Sequence, residues 1–198
     1  VSADRQGLFV AVVGPSGSGK DTLMRAVAAR LSDRPDIRFA QRVITREADP
    51  ENEDHETLSR EAFATARARG AFCLAWEAHG LCYSLRQEAV EHVASGGTMV
   101  ANLSRAVLRE AASRFNRMDV VEITARPEVR IERLLARGRE TVDDIHNRIA
   151  REVPLSVQNL SGHIVTIDNS GRVDDAVEKF ETYLRDPDGA SAQGPRAG

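Results

Sequence analysis

The stretch Leu8 to Thr22, LFVAVVGPSGSGKDT, restricts the folds open to this chain more than any other. Its apolar run suits a strand buried on both faces of a parallel sheet. The glycines that follow, Gly14, Gly17 and Gly19, permit a tight path in which successive backbone N–H groups turn inward around an anion. Lys20 then opens a helix, whose N-terminal partial charge adds to its ammonium group. Strand, glycine-rich turn, lysine and helix in this order form the Walker A phosphate loop, G-x-x-x-x-G-K-[ST]. Gly14, Pro15, Ser16, Gly17, Ser18, Gly19, Lys20, Asp21 and Thr22 are therefore the nucleotide-binding candidates, with Lys20 reaching toward the β- and γ-phosphates.

The motif departs from its pattern at one position. Where a hydroxyl normally meets magnesium, this chain has Asp21. A carboxylate is a hard oxygen ligand that Mg2+ accepts directly or through water. Asp21 is accordingly expected to position the metal, the alternative being an acidic first-turn residue that serves the helix dipole. Thr22, one step along the helix, faces elsewhere and replaces the hydroxyl poorly.

The rest of the sequence alternates short β-rich runs with amphipathic helices, which predicts a three-layer α/β fold around a central parallel sheet. Lys20–Leu31 reads as a helix, IRFAQRVIT as one strand, READPENEDHETLS as an exposed loop, and Ser59–Arg69 as a helix closed by Gly70. AFCLAWEAHGLCYSL reads as two strands turning near His79-Gly80. TMVANL, DVVEITA and HIVTID are further strands, each followed by a helix. In the last of these helices Val173, Val177, Phe180 and Leu184 share one face. One domain is expected over 1–185, with a smaller insertion at about 42–85, and a disordered polar tail over 186–198.

With 198 residues, 41% of them apolar, and a net charge of −3, the chain exerts no global attraction for nucleic acid or anionic membrane. No apolar run is long enough to span a bilayer. The expectation is a cytoplasmic protein without nucleic-acid or membrane partners, possible as a homodimer. Cys73 and Cys82 read as buried or incidental thiols, and the scattered histidines give no structural metal site.

Arg126, Arg130, Arg133 and Arg137 are spaced four, three and four apart and so share one helix face, with Arg139, Arg148 and Arg151 following. A guanidinium presents a fixed fork of donors matched to phosphate, and phosphoryl transfer relies mainly on such charge stabilisation. Arg133, Arg137 and Arg148 are the catalytic candidates beside Lys20. A solvated salt-bridged face, using Glu128 and Glu132, is the alternative for the outermost arginines.

GPSGSGKDT, the ITR of Ile44–Arg46, the HG and Tyr of His79–Tyr83, and RLLARGRE from Arg133 to Glu140 together resemble the guanylate kinase-like family. The resemblance runs from about Leu8 to Leu184 and implies a nucleotide-dependent phosphotransferase with a mobile lid at about 133–153. It also marks departures. Leu74 stands where guanylate kinases carry a guanine-binding glutamate, Asp49 replaces a second arginine, and Asn102 replaces an acidic residue. With GKD, VITR, His55-Glu56, AHGLCY and VANLSRAVL, these departures resemble the ribose 1,5-bisphosphate phosphokinase branch, which acts in phosphonate breakdown. That resemblance implies ATP and a sugar bisphosphate as substrates, Mg2+ as cofactor, and Arg46, Tyr83 and Arg139 as substrate-binding residues. A nucleoside monophosphate kinase with an unusual base pocket, and a non-catalytic interaction module, are the other readings; the intact loop glycines and Lys20 weigh against the latter.

Overall fold

The computed structural model describes residues 6–46, 55–78, 80–136 and 162–191. Its described strands form two sheets, one ordered β2 (Ile37–Phe39), β7 (Thr98–Asn102), β1 (Leu8–Val13), β8 (Met118–Thr124), β9 (Ile164–Asp168) and the other β4 (His55–Thr57), β3 (Arg42–Ile44), β6 (Leu81–Arg86), β5 (Phe72–Ala78). The chain divides into two compact units, Val1–Ala11 with Arg34–Asp119, and Val12–Asp33 with Val120–Gly198. The division runs through β1 (Leu8–Val13), a strand buried along its whole length.

In the first unit β2 (Ile37–Phe39) runs parallel to β7 (Thr98–Asn102), pairing Ile37 with Thr98 and Phe39 with Val100. Phe9 on β1 stacks on Phe115 with ring centroids 3.8 Å apart. The second sheet belongs wholly to this unit. It comprises β3 (Arg42–Ile44), β4 (His55–Thr57), β5 (Phe72–Ala78) and β6 (Leu81–Arg86).

Two expectations change here. IRFAQRVIT is not one strand: it breaks between Phe39 and Arg42, its halves entering different sheets. Apolar residues lie on both sides of the break, Ile37 and Phe39 before it and Val43 and Ile44 after it, so the hydrophobic pattern alone does not reveal it. The expected acidic loop includes a strand, since Arg42, Val43 and Ile44 pair in parallel with His55, Glu56 and Thr57. A three-residue polar edge strand carries no hydrophobic signal.

The helix α2 (Arg60–Ala68) begins where expected, because the Ser59 hydroxyl accepts the Ala62 N–H at 3.1 Å. Its Phe63 packs with Val43 and Phe72 against one face of the second sheet. α3 (Glu88–Ala94), a 3-10 turn at Arg105–Val107 and α4 (Leu108–Arg114) complete the unit.

The second unit holds the glycine-rich turn and α1 (Lys20–Arg30), then β8 (Met118–Thr124, mostly in this unit), α5 (Pro127–Ala136), β9 (Ile164–Asp168) and α6 (Val173–Arg185). β8 and β9 are parallel, with Val120 opposite Ile164 and Thr124 opposite Asp168. α1 buries Leu23, Met24 and Val27 and packs on α6, which buries Val177, Phe180, Tyr183 and Leu184. Each such large side chain contributes about 1.5–3 kcal/mol on burial. Val173, expected on that face, is 38% exposed at the first turn.

The tail expected to be disordered from 186 continues as α7 (Pro187–Ser191). Pro187 sits at the first helical position, and Asp186 Oδ1 accepts the Gly189 N–H at 3.1 Å, a capping pattern that a polar composition hides. Residues 192–198 of the expected tail lie outside the described residues.

Candidate active site

The glycine-rich turn is shaped by three glycines with positive φ, Gly14 at 153°, Gly17 at 80° and Gly19 at 87°. Gly19 is also the N-cap of α1, in the left-handed conformation and without a side-chain cap. The first-turn N–H groups thus lack the partner that Ser, Thr or Asp usually supplies, which suits them to a bound anion. The Ser18 hydroxyl is fully buried with no hydrogen-bond partner among the described residues, a further polar group fitted to a ligand.

Lys20 lies back over the turn, its Nζ donating to Gly14 O at 2.7 Å and Pro15 O at 3.3 Å. Asp21 follows in the first turn of α1, half-buried, while Thr22 is exposed. Among the described residues no group of three or more His, Cys, Asp or Glu side chains is arranged to hold a metal ion. A single carboxylate beside a phosphate site is what Mg2+ uses when it arrives on a nucleotide, since it keeps several waters and the phosphate oxygens as ligands. Asp21 fits that pattern.

The arginine stripe does not act as one surface. Arg126 precedes α5, exposed, and its backbone N–H donates to Ser170 Oγ at 2.8 Å. Arg130 is 5% exposed and donates Nε–H to Ser16 O at 2.9 Å. Arg133 directs its guanidinium to Asn169 O at 2.9 Å and Ser18 O at 3.5 Å. Arg130 and Arg133 therefore contact the backbone of the glycine-rich turn itself. Helical spacing correctly groups them but cannot tell a phosphate from a carbonyl as their acceptor. Arg137, Arg139 and Arg148, and the expected lid beyond Ala136, lie outside the described residues.

Sequence reasoning missed Asn169. It is 2% exposed just after β9, and its Nδ2 donates to Ser18 O at 2.8 Å. Asp168 beside it accepts from the Ser170 N–H at 2.9 Å and from the Ser170 hydroxyl. Those bonds, with Arg126 and Lys179 nearby, hold its carboxyl below the usual range. The segment Asp168–Ser170 thus ties the start of α5 to the turn. The tell-tale in the sequence is a polar DNS triplet at the carboxyl end of a strand, where α/β folds place their sites.

The other candidates sit in the first unit. Arg46 follows β3, whose end is fastened to β6 by Thr45 N–H to Cys82 O at 3.0 Å and Cys82 N–H to Thr45 Oγ1 at 2.9 Å. Tyr83 pairs with Ile44 on β3 and with Trp76 on β5. The Trp76 and Tyr83 rings stack with centroids 5.6 Å apart, and the Arg42 guanidinium stands 5.9 Å from the Tyr83 centroid. Trp76 was legible: a two-residue connection between Ala78 and Leu81 forces 76 opposite 83. Leu74 is 1% exposed and pairs with Leu85, itself fully buried.

Arg86 grips Glu56 with a bidentate pair, Nε to Oε2 at 2.8 Å and a second, shorter bond. That hydrogen-bonded charge holds the Glu56 carboxyl below its usual range and raises Arg86 in turn. Cys73 is buried, which pushes its thiol up to about 11, and Cys82 stands opposite Glu77 on the adjacent strand. Both thiols are free.

The chain is similar to known proteins in sequence and in fold. A family profile described as an AAA domain matches residues 10–154. The ribose 1,5-bisphosphate phosphokinase PhnN of Brucella melitensis biotype 2 (strain ATCC 23457) is 44% identical over 181 residues, covering 91% of this chain and 93% of its own length. Its namesake from Agrobacterium fabrum (strain C58 / ATCC 33970) is 42% identical over 92% of this chain and 99% of its own. Among solved structures, guanylate kinase from Anaplasma phagocytophilum superposes with a TM-score of 0.63 at 16% identity, covering 92% of this chain and 86% of its own, a likeness of fold alone.

Proposed function

We propose that this chain, which belongs to the ribose 1,5-bisphosphate phosphokinase family, transfers the γ-phosphoryl group of ATP to ribose 1,5-bisphosphate, releasing ADP and 5-phospho-α-D-ribose 1-diphosphate. The observation that carries the choice of acceptor is Leu74. At the hairpin position where a guanine-binding carboxylate would stand, this chain has a hydrocarbon that is 1% exposed and packed opposite Leu85. A purine has no acidic partner there, and a site built to pair a polar edge loses orders of magnitude without its partner.

The residues divide the work by charge. The Gly14–Thr22 turn holds the ATP phosphates on its N–H groups, and Lys20 leaves its carbonyl partners to follow the β- and γ-phosphates. Asp21 holds the Mg2+ that accompanies ATP, directly or through water. When bound, that ion neutralises charge on the transferring phosphoryl group. Arg133, Arg137 and Arg148 offset the remaining charge, while Arg46, Tyr83 and Arg139 bind the anionic ends of the acceptor. The nucleophile is a phosphate oxygen, largely ionised at neutral pH, so the reaction needs no general base. The reaction would serve phosphonate breakdown, the role that the resemblance to this family implies.

The test is a coupled assay with ATP and Mg2+, comparing ribose 1,5-bisphosphate with GMP, AMP and ribose 5-phosphate as acceptors. The bisphosphate should give the highest kcat/KM. A GMP value equal to or above it would return the chain to nucleoside monophosphate kinase chemistry.

A further inference from the structure

Three side chains outside the glycine-rich turn reach two of its peptide planes, with Arg133 adding a longer contact of 3.5 Å to Ser18 O. Arg130 donates to Ser16 O at 2.9 Å, and Asn169 donates to Ser18 O at 2.8 Å. The described residues contain no cis peptide bond. In a trans peptide the C=O of one residue and the N–H of the next point in opposite directions within one plane. Anchoring Ser16 O toward Arg130 therefore turns the Gly17 N–H away from α5. Anchoring Ser18 O toward Asn169 likewise turns the Gly19 N–H away from the β9 end.

The packing supports the same picture. A Cβ on Gly17 would lie 2.9 Å from the Arg130 carbonyl oxygen, and one on Gly19 would lie 2.4 Å from Asn169 Nδ2. Both helpers press directly on the outside of the turn, leaving its N–H groups to the inside. Only the amide nitrogen of Asn169 can face a carbonyl, and its Oδ1 is buried with no hydrogen-bond partner among the described residues. An unpaired buried oxygen is unfavourable in a merely space-filling residue. What accounts for an asparagine here is the bond its nitrogen makes.

We propose that Asn169 and Arg130 are positioning residues that pre-orient the Gly19 and Gly17 N–H groups toward the phosphates of a bound nucleotide. Asn169 acts at the Ser18–Gly19 peptide and Arg130 at the Ser16–Gly17 peptide. Neither needs to touch the nucleotide to act. The inference rests on nucleotide binding at the turn and is independent of which acceptor the enzyme uses, so failure of the acceptor assignment leaves it intact.

The test uses the full chain with glycine-selective 15N labelling, titrated with ADP. In the wild type both the Gly17 and Gly19 amide protons should move downfield as they bond phosphate. Asn169→Asp preserves shape but offers the Ser18 carbonyl an oxygen in place of a donor. ADP affinity should then fall on the order of 10-fold, the loss of one charge-assisted hydrogen bond's orientation. The Gly19 shift should shrink sharply, since only the longer Arg133 contact at 3.5 Å would still reach Ser18 O, while the Gly17 shift persists; the acceptor KM should stay within about twofold, since the lost contact lies on the donor side. Arg130→Met should do the reverse to the two glycines, and Arg130→Lys, which keeps a donor, should restore part of the Gly17 shift. A residue needed only for packing would lower the melting temperature without separating the two glycines. An ADP Kd unchanged in folded Asn169→Asp, or both glycine shifts retained, overturns the proposal. Should that variant not fold, the wild type still decides: the Asn169 side-chain amide protons should exchange slowly in the ADP complex, and rapid exchange refutes the bond on which the inference depends.

Discussion

Lys20 Nζ donates to the carbonyl of Gly14 at 2.7 Å, so the lysine expected to hold phosphate is held by its own turn. The contact keeps the ammonium over the glycine-rich backbone and lets it exchange one set of oxygens for another on nucleotide binding. Lys20→Ala should lower kcat/KM by on the order of 10²-fold or more, the scale of losing a donor to developing charge. Its thermal midpoint should stay within a few degrees of wild type, because the lysine is only partly buried and its bonds to Gly14 O and Pro15 O are local to the turn. Near wild-type turnover in the variant would remove Lys20 from the catalytic set.

Asp21 makes a separable prediction. If its carboxylate positions magnesium, Asp21→Ala should raise the Mg2+ concentration needed for half-maximal activity, and Asp21→Ser, which restores the usual hydroxyl, should recover part of it. A magnesium titration that is superimposable for wild type and Asp21→Ala leaves the residue as an acidic first-turn group serving the helix dipole.

How far the sequence could be read follows from the range of each signal. The Leu8–Thr22 strand, turn and helix announced themselves because burial, glycine conformation and lysine placement all act within fifteen residues. The β5–β6 hairpin and α2 were legible for the same reason, as was the Ser59 cap. What escaped depends on partners distant in the chain. Nothing local to Arg130 distinguishes a phosphate ligand from a donor to Ser16, and nothing local to Asn169 points to Ser18, 151 residues away. The parallel pairing of β3 with β4 was hidden likewise, since a short polar edge strand is defined by its neighbour and not by its own pattern.

The Glu56–Arg86 pair predicts a pH dependence. Arg86 holds the folded carboxyl of Glu56 below its ordinary value of 4.5. A carboxyl whose pKa is depressed on folding adds stability above its unfolded pKa and loses it as pH falls through the folded one. The melting temperature of wild type should therefore exceed that of Glu56→Gln at pH 6–7, with the difference shrinking below about pH 4.5. Because both side chains are about a third exposed, at 36% and 34%, solvent screening keeps the effect small. A difference that grows on acidification would contradict the assignment.

The two thiols should differ sharply. Cys73 is 1% exposed and its thiol is pushed up to about 11 by burial, so at pH 8 it is both inaccessible and protonated. Cys82 is only partly buried. Iodoacetamide at pH 8 should alkylate Cys82 in the folded protein and leave Cys73 until denaturant is added, as peptide mass mapping can follow. Equal labelling rates would mean that β5 opens locally far more often than its packing implies.

Leu74 gives the sharpest test of how acceptor choice is built in. If the position were an open pocket that merely lacks its carboxylate, Leu74→Glu would install guanine recognition and raise GMP turnover. The leucine is instead 1% exposed and packed opposite Leu85, so a glutamate there would enter apolar surroundings. Burying an uncompensated carboxylate is costly enough that the group protonates or the structure yields, and a loss of more than about 3 kcal/mol is expected. A neutral glutamic acid would also be the wrong partner, since it lacks the full charge that strengthens a bidentate bond to a guanine edge. Leu74→Glu should therefore lower the denaturation midpoint strongly and leave GMP a poor acceptor, while Leu74→Met, which nearly conserves volume, should cost under about 1.5 kcal/mol and preserve bisphosphate turnover. Urea unfolding together with kcat/KM for both acceptors separates the outcomes. A stable Leu74→Glu protein that phosphorylates GMP would show that specificity resides in one side chain, whereas an unstable one would locate it in the packing of the hairpin face that Leu74 shares with Leu85.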